Sequence, residues 1–228
     1  QKAIKLEPKW PGGYISLANS FLFEDPKDFK QAEKYANQLV GIAPYNASFI
    51  LLGDTYRAQN NLSKAEEMYS KAVMQDGQLP EAYYKRGHVF SLEGQYEKAR
   101  TDYEKASMLD VIPTGARQFI ANTYLYEGNT SKALESLKND IENIAPTLDP
   151  SQVNSFKYDL LSSCAMIAMH NHDAKQLEDI VKMMQPLSED LGARIGTQEA
   201  KLEQQANMIY WDGIVKLLNN DASGAARR

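Results

Sequence analysis

Apolar and small residues recur at three- and four-residue steps along most of the chain, the spacing of one face of an α-helix. Two examples are FILLGDTY (49–56) and AEEMYSKAV (65–73), with a short polar segment around Asn60 between them. No segment alternates apolar and polar residues as a half-buried strand does. Because Gly or Asn permits the left-handed residue that ends a helix, the pattern predicts a helix, a tight turn and a second helix.

This predicted helix pair recurs with a period of 34 residues. Four sets of residues keep the step over three copies: Gly53, Gly87 and Ala121; Tyr56, Phe90 and Tyr124; Asn60, Gly94 and Gly128; Ala65, Ala99 and Ala133. A period of this length is typical of repeat proteins, in which each unit buries its apolar face against the next. We expect the small residues to let two helices approach closely and the aromatic residues to fill the space beside them.

The order of small, aromatic, glycine and alanine positions resembles the 34-residue unit of the tetratricopeptide repeat (TPR) family. The resemblance implies an all-α fold, a right-handed superhelical solenoid of antiparallel helix pairs. It also implies a division of the chain into a tail of a preceding repeat, four regular units and a divergent part, at 1–8, 9–44, 45–77, 78–111, 112–146 and 147–228.

The C-terminal part of the chain departs from the period. We expect a helix pair with a turn near His172, in which Leu177 takes the small position of the second helix. Beyond it, one helical stripe of apolar positions is predicted, formed by Leu202, Ala206, Ile209, Gly213 and Leu217. Gly213 and Ala225 are twelve residues apart, like the small residues of a regular unit. The segment ASGAARR therefore predicts the start of a second helix in a truncated unit.

Composition narrows the classes of partner. The net charge is -5 and no block of Lys and Arg occurs, so we expect neither nucleic acid nor an anionic membrane, which both require a basic surface. No apolar run approaches the roughly 20 residues that span a bilayer. The single Cys164 lies in an apolar run and predicts a buried thiol. Because the chain begins with Gln1, its localisation stays open between the cytoplasm and export.

Candidate catalytic chemistry is sparse. The segment HNHD (170–173) contains residue types that bind metals, but its position predicts a polar turn between helices. His88 has no Ser or Cys nucleophile at a suitable spacing, and no Gly-rich phosphate loop occurs. We therefore expect no enzymatic activity, no cofactor and no metal.

The TPR resemblance implies a concave groove lined by the first helix of each pair. Residues at i, i+4 and i+7 share one helix face, which gives the predicted lining residues: Ile15, Asn19, Leu22, Ile50, Asp54, Arg57, Tyr84, His88, Ser91, Gln118, Asn122 and Leu125. Apolar, aromatic, amide and charged groups together favour contact with another protein. We expect a non-catalytic scaffold that binds a peptide or protein segment. The alternative is a self-assembly or spacer module of a larger exported protein or enzyme.

The best-defined ligand of the family is an acidic C-terminal chaperone peptide, held by a clamp of Lys, Asn and Arg. Asn19 matches one clamp position, and Lys85 is a conservative match to another. The clamp needs Lys, Asn and Lys at three positions that here hold Ile15, Leu51 and Glu81. The acidic side chains of Glu81 and Asp54 would also repel a terminal carboxylate. We therefore expect a protein or peptide partner other than this ligand, with self-association as a further possibility.

Overall fold

A computed structural model describes residues 2–110, 114–195 and 197–225, and within these ranges the chain is helical and contains no strand. These residues form a short 3-10 helix, Ala145–Thr147, and twelve α-helices: α1 (Lys2–Leu6), α2 (Pro11–Phe23), α3 (Phe29–Ile42), α4 (Asn46–Ala58), α5 (Leu62–Gln75), α6 (Pro80–Leu92), α7 (Tyr96–Leu109), α8 (Thr114–Tyr126), α9 (Thr130–Asn143), α10 (Pro150–His170), α11 (Ala174–Ile195) and α12 (Gln198–Ala225). The predicted all-α fold of consecutive helix pairs is confirmed. No described helix combines the length and the apolar character that crossing a membrane requires.

The chain divides into two compact units, Gln1–Ala116 and Arg117–Arg228. In the first unit, α2 packs on α3, α4 on α5 and α6 on α7, and each pair also contacts the next. In the second unit, α10 packs on α9 and α11, and α11 packs on α12. The boundary falls inside α8, within the unit predicted at 112–146.

The small residues of the repeat lie where the two helices of a pair approach most closely. A Cβ atom added to Gly53 would lie 2.6 Å from a ring carbon of Tyr69, and one added to Gly87 would lie 3.0 Å from the Tyr103 ring. Ala99, on the second helix of its pair, is fully buried. The recurring columns therefore hold space for the helix contact and for the aromatic ring beside it.

The turns within the pairs use left-handed residues, as the repeat predicts. The φ angles are 58° at Asn60, 72° at Gly94 and 74° at Gly128. A fourth turn follows α10, where His172 has a φ of 55°, and the predicted turn near His172 is thereby confirmed. The same backbone conformation thus ends the first helix of the divergent pair.

The core of the second unit contains residues from the divergent pair, including Phe156, Leu177 and Met184. Cys164 is fully buried there, as expected, and burial raises the pKa of its thiol to about 11. Leu177 is also fully buried, in keeping with the role predicted for it. A thiol held protonated in this way is a packing group and not a nucleophile.

The helical stripe predicted from Leu202 to Leu217 lies on α12, but the expected start of a second helix after it is wrong. The helix continues without a turn through Ala225, so no second helix begins at Ala222 among the described residues, and residues 226–228 lie outside them. The stripe from Leu202 to Leu217 faces solvent, whereas Trp211 and Leu218 are buried on another face. The helix carries two apolar faces, and periodicity alone cannot decide which of them packs on α11.

Candidate functional site

The candidate site lies on the first helices of the pairs in the first unit, α2, α4 and α6. We define the first-helix face as the predicted lining residues of these helices that remain half-buried in the structure: Ile15, Asn19, Arg57, Tyr84, His88 and Ser91. Their helical spacing keeps each set on one side of its helix. This face presents apolar, amide, hydroxyl, imidazole and guanidinium groups.

Three predicted lining residues of the first unit are buried and are not part of this surface. Leu22 packs in the core with Tyr14 and Ala18, and Ile50 packs against the alanines of the neighbouring helices α5 and α6. Asp54 is also buried. Helical spacing groups these residues on one side of their helices but does not show how deeply the neighbouring helices cover them.

Asp54 connects three helices. Its two carboxylate oxygens accept hydrogen bonds from Lys85 Nζ at 2.9 and 2.8 Å, and Oδ1 also accepts one from the Tyr69 hydroxyl at 2.7 Å. Lys85 Nζ also lies 3.5 Å from a carboxylate oxygen of Glu81. Burial, followed by the charge of Asp54 and the hydrogen bond to it, raises the pKa of Tyr69. The Asp54 carboxylate therefore stabilises the packing of α4, α5 and α6.

Arg57 and His88 are the basic residues of the first-helix face. Burial, followed by the positive charges of Arg57 and Lys85, lowers the pKa of His88. Its imidazole is consequently neutral near pH 7. Among the described residues, Arg57 forms no ion pair with a carboxylate. The guanidinium lies beside the Tyr69 hydroxyl, which carries no charge to balance it, so its positive charge remains for a ligand to neutralise.

Tyr84 supplies the aromatic area of the face. Its ring packs at a 59° angle against Tyr103, with the centroids 5.9 Å apart, and burial raises the pKa of its hydroxyl. A tyrosine fixed in this way loses little entropy on binding and keeps a large contact area.

In the second unit, the predicted lining residues of α8 are Gln118, Asn122 and Leu125. Gln118 donates a hydrogen bond through Nε2 to the main-chain oxygen of Asp159, at 3.2 Å, and so connects α8 to α10. Leu125 packs against the core of the unit, and Asn122 is half-buried. Gln118 and Leu125 therefore have packing roles here.

Sequence reasoning missed the corresponding face of α10. Ala165 lies twelve residues before Leu177, the spacing between Gly53 and Ala65, and this alignment assigns Ser162, Met166 and Met169 to the lining positions. Met166 is exposed. The spacing could have identified these residues, but the break in the 34-residue period after α9 concealed it.

The HNHD segment forms the turn between α10 and α11. His170 is the last residue of α10, and the carboxylate of Asp173 accepts a hydrogen bond from the Gln176 amide at 2.9 Å, capping α11. In the parts of the chain that the structure describes, no three His, Cys, Asp or Glu side chains converge on a point that would hold a metal ion. The local structure explains these residues as helix-ending and helix-capping groups.

Comparison with known proteins identifies the repeat. Residues 53–93 match a family model described as TPR repeat, and residues 80–110 match one described as Tetratricopeptide repeat. The chain therefore contains tetratricopeptide repeats, as the sequence pattern predicts. Proteins with this repeat are generally non-catalytic scaffolds for protein–protein interaction.

One curated relative is Anaphase-promoting complex subunit 3 of Schizosaccharomyces pombe, which is 27% identical over 99 residues. The match covers 43% of this chain but only 15% of that protein. The similarity therefore concerns a small part of that protein.

Solved structures share the fold at low identity. A putative kinesin light chain of Podosopora anserina with TPR-like repeats is 14% identical, with 81% of this chain and 97% of that chain covered and a TM-score of 0.60. A tetratricopeptide repeat protein of Parabacteroides merdae is 16% identical, with 95% of this chain and 79% of that chain covered and a TM-score of 0.58. A chain of the Cut9-Hcn1 structure is 20% identical, with 96% of this chain and 42% of that chain covered and a TM-score of 0.51.

Proposed function

We propose that the chain binds a segment of another protein along the first-helix face of its first unit. The observation that carries this proposal is Arg57, a half-buried cation without a carboxylate partner among the described residues, beside the neutral imidazole of His88. Cations in such positions favour an anionic ligand group, because a charge-assisted pair gains strength where water is partly excluded.

The chemistry of the face defines the segment that fits it. A guanidinium binds a carboxylate through two parallel hydrogen bonds, so the segment carries an Asp or Glu side chain opposite Arg57. Asn19 offers an amide for hydrogen bonds to a peptide main chain, and Tyr84 offers apolar area. Ile15 adds a further apolar contact at the α2 end.

This ligand differs from the chaperone peptide of the carboxylate clamp. Lys85, the residue that resembles a clamp lysine, already binds Asp54 and lies near Glu81. It is therefore not available to hold a terminal carboxylate, and Arg57 is left to bind a single acidic side chain. The names of two similar proteins, a subunit of the anaphase-promoting complex and Cut9-Hcn1, are in keeping with a role within a protein assembly.

Selection from a displayed library of random peptides tests this function. The wild-type chain is expected to enrich peptides with a shared acidic residue. Binding of those peptides should weaken by at least about tenfold in Arg57→Glu, because like charges then face each other. Tyr84→Ala should also weaken binding, with unchanged helical content.

Exposed residues of the second helices provide the matched control. Glu67→Ala changes an exposed charge on α5 whose ion-pair partner among the described residues is Lys71 on the same helix, so it should leave peptide binding unchanged. Loss of binding in Glu67→Ala together with full binding in Arg57→Glu would show that the ligand uses the other side of the repeats and would refute the proposal.

A further inference from the structure

The second unit carries an apolar surface that no described residue covers. On α12, Leu202 is 54% exposed, Ile209 72% and Leu217 56%. Ala206 and Gly213 lie between them and are exposed as well. We call these five residues the outer stripe of α12. A different face of the helix, with Trp211 and Val215, is buried within the unit, so the outer stripe is not needed to hold α12 in place.

The small residues of the outer stripe resemble positions that an aromatic ring covers elsewhere in the chain. Gly53 and Gly87 each lie against a tyrosine ring of the helix packed on them. A Cβ atom added to Gly213, in contrast, would meet nothing within 4 Å. A glycine in a helix interior costs stability relative to alanine, and in α4 and α6 that cost accompanies a close helix contact. Gly213, in the middle of α12, therefore leaves room for another helix to approach.

The outer stripe also has a large aromatic residue at its edge. Tyr210 lies one turn before Gly213 and is 55% exposed. Consider the α12 of a second copy that runs antiparallel, with its Tyr210 opposite Gly213 of the first copy. Seven residues along each helix, Leu217 of the second copy then lies opposite Ala206 of the first. Symmetry repeats both contacts, so each small residue faces a large one. The stripe is thus complementary to itself.

We propose that the outer stripe of α12 is a self-association surface, on which a second copy of the chain packs its own α12 in an antiparallel, two-fold symmetric pair. The charges beside the stripe permit this arrangement. Asp212 and Lys216 lie beside the outer stripe and form an ion pair with each other at 2.6 Å. Helix pairing therefore does not place an unbalanced charge from these two residues at the edge of the contact.

Sedimentation equilibrium of the full chain tests the proposal. Between about 1 μM and 1 mM, the wild-type chain is expected to shift from monomer to dimer. Gly213→Lys should raise the dissociation constant at least about tenfold, because two lysines then meet near the symmetry axis. Lysine is a better helix former than glycine, so loss of the dimer would not reflect loss of α12.

Asn207→Lys is the matched control, since Asn207 is exposed on another side of the same helix. It adds the same charge and should leave the dimer intact. A chain that stays monomeric over the whole range overturns the proposal, as does a dimer that Gly213→Lys leaves unchanged. Equal weakening by both variants would also contradict it, because it would show a general charge effect.

Disulfide trapping tests the antiparallel register. In Ala206→Cys/Leu217→Cys, oxidation should link two chains rapidly, because residue 206 of one copy faces residue 217 of the other. Ala206→Cys alone should not form this link, whereas a parallel pair would bring two copies of residue 206 together and link them. Cys164 does not interfere because it is buried. Rapid linking in the single variant would refute the register.

Discussion

Gly53 shows how one missing side chain determines the approach of two helices. An added Cβ atom would lie 2.6 Å from the ring of Tyr69, and this ring is itself fully buried and held by its hydrogen bond to Asp54. We expect Gly53→Ala to lower the free energy of unfolding by about 1–3 kcal/mol, although alanine is the better helix former. Urea unfolding measures the difference.

Gly41→Ala is the control for this prediction. Gly41 also lies within a helix, α3, but its added Cβ atom would meet nothing within 4 Å. Its substitution should leave the stability unchanged or slightly raised. A Gly53→Ala chain as stable as the Gly41→Ala chain would show that α4 and α5 are packed less closely than described.

His88 predicts a pH dependence of stability. Burial and the charges of Arg57 and Lys85 lower the pKa of His88 below its ordinary 6.5, so the unfolded chain binds this proton more readily than the folded chain. The stability of the folded chain that depends on a neutral His88 is therefore fully present above pH 6.5 and is lost as the pH falls below 6.5. His88→Gln should reduce the fall in stability between pH 7 and about pH 5, as measured by urea unfolding. An equally steep fall in this variant would contradict the assignment.

At the scale of a helix pair, an ion pair between the half-buried Arg86 and the buried Asp102 joins α6 to α7. Arg86 donates hydrogen bonds of 2.7 and 2.8 Å to the two carboxylate oxygens of Asp102. Removing Arg86 leaves the buried carboxylate of Asp102 uncompensated, so Arg86→Met should cost up to about 3–5 kcal/mol. Replacing both residues by apolar ones should recover most of this loss in thermal and urea unfolding. A double variant as unstable as the single one would assign the effect to other contacts of Arg86.

The regular helix pairs could be predicted from the sequence because each position in them has one role. Gly53, Ala65 and Asn60 hold the same places as their counterparts 34 residues later, and a periodic signal of this kind survives without tertiary information. In α12, by contrast, two apolar faces compete. Leu217 and Leu218 are adjacent, yet only Leu218 is buried, and only the packing of α12 on α11 makes that distinction.

At the scale of the molecule, the candidate site was predictable in position but not in depth. Asn19 and Arg57 remain half-buried on the first-helix face. Asp54 was expected to meet a ligand together with Arg57, but Lys85 binds it from 31 residues further along the chain. A contact of that separation depends on how α6 packs on the preceding pair. The sequence alone therefore indicates which residues share a face of the first helices, and the packing shows which charge among them lacks a carboxylate partner.

The two proposed surfaces belong to different compact units, so their effects are separable. Arg57→Glu should weaken peptide binding and leave self-association unchanged, whereas Gly213→Lys should weaken self-association and leave peptide binding unchanged. If self-association fails the test, the peptide site of the first unit is not affected by that result.

A charge-exchange cycle tests the central claim most directly. Titration calorimetry would compare a selected peptide and its version with the acidic residue replaced by Arg, each against the wild-type chain and Arg57→Glu. We predict that each single charge reversal weakens binding and that the double exchange restores at least about tenfold of the lost affinity, a coupling of about 1.4 kcal/mol or more. Additive losses, with no recovery in the doubly exchanged pair, would show that Arg57 does not contact the acidic residue and would contradict the account.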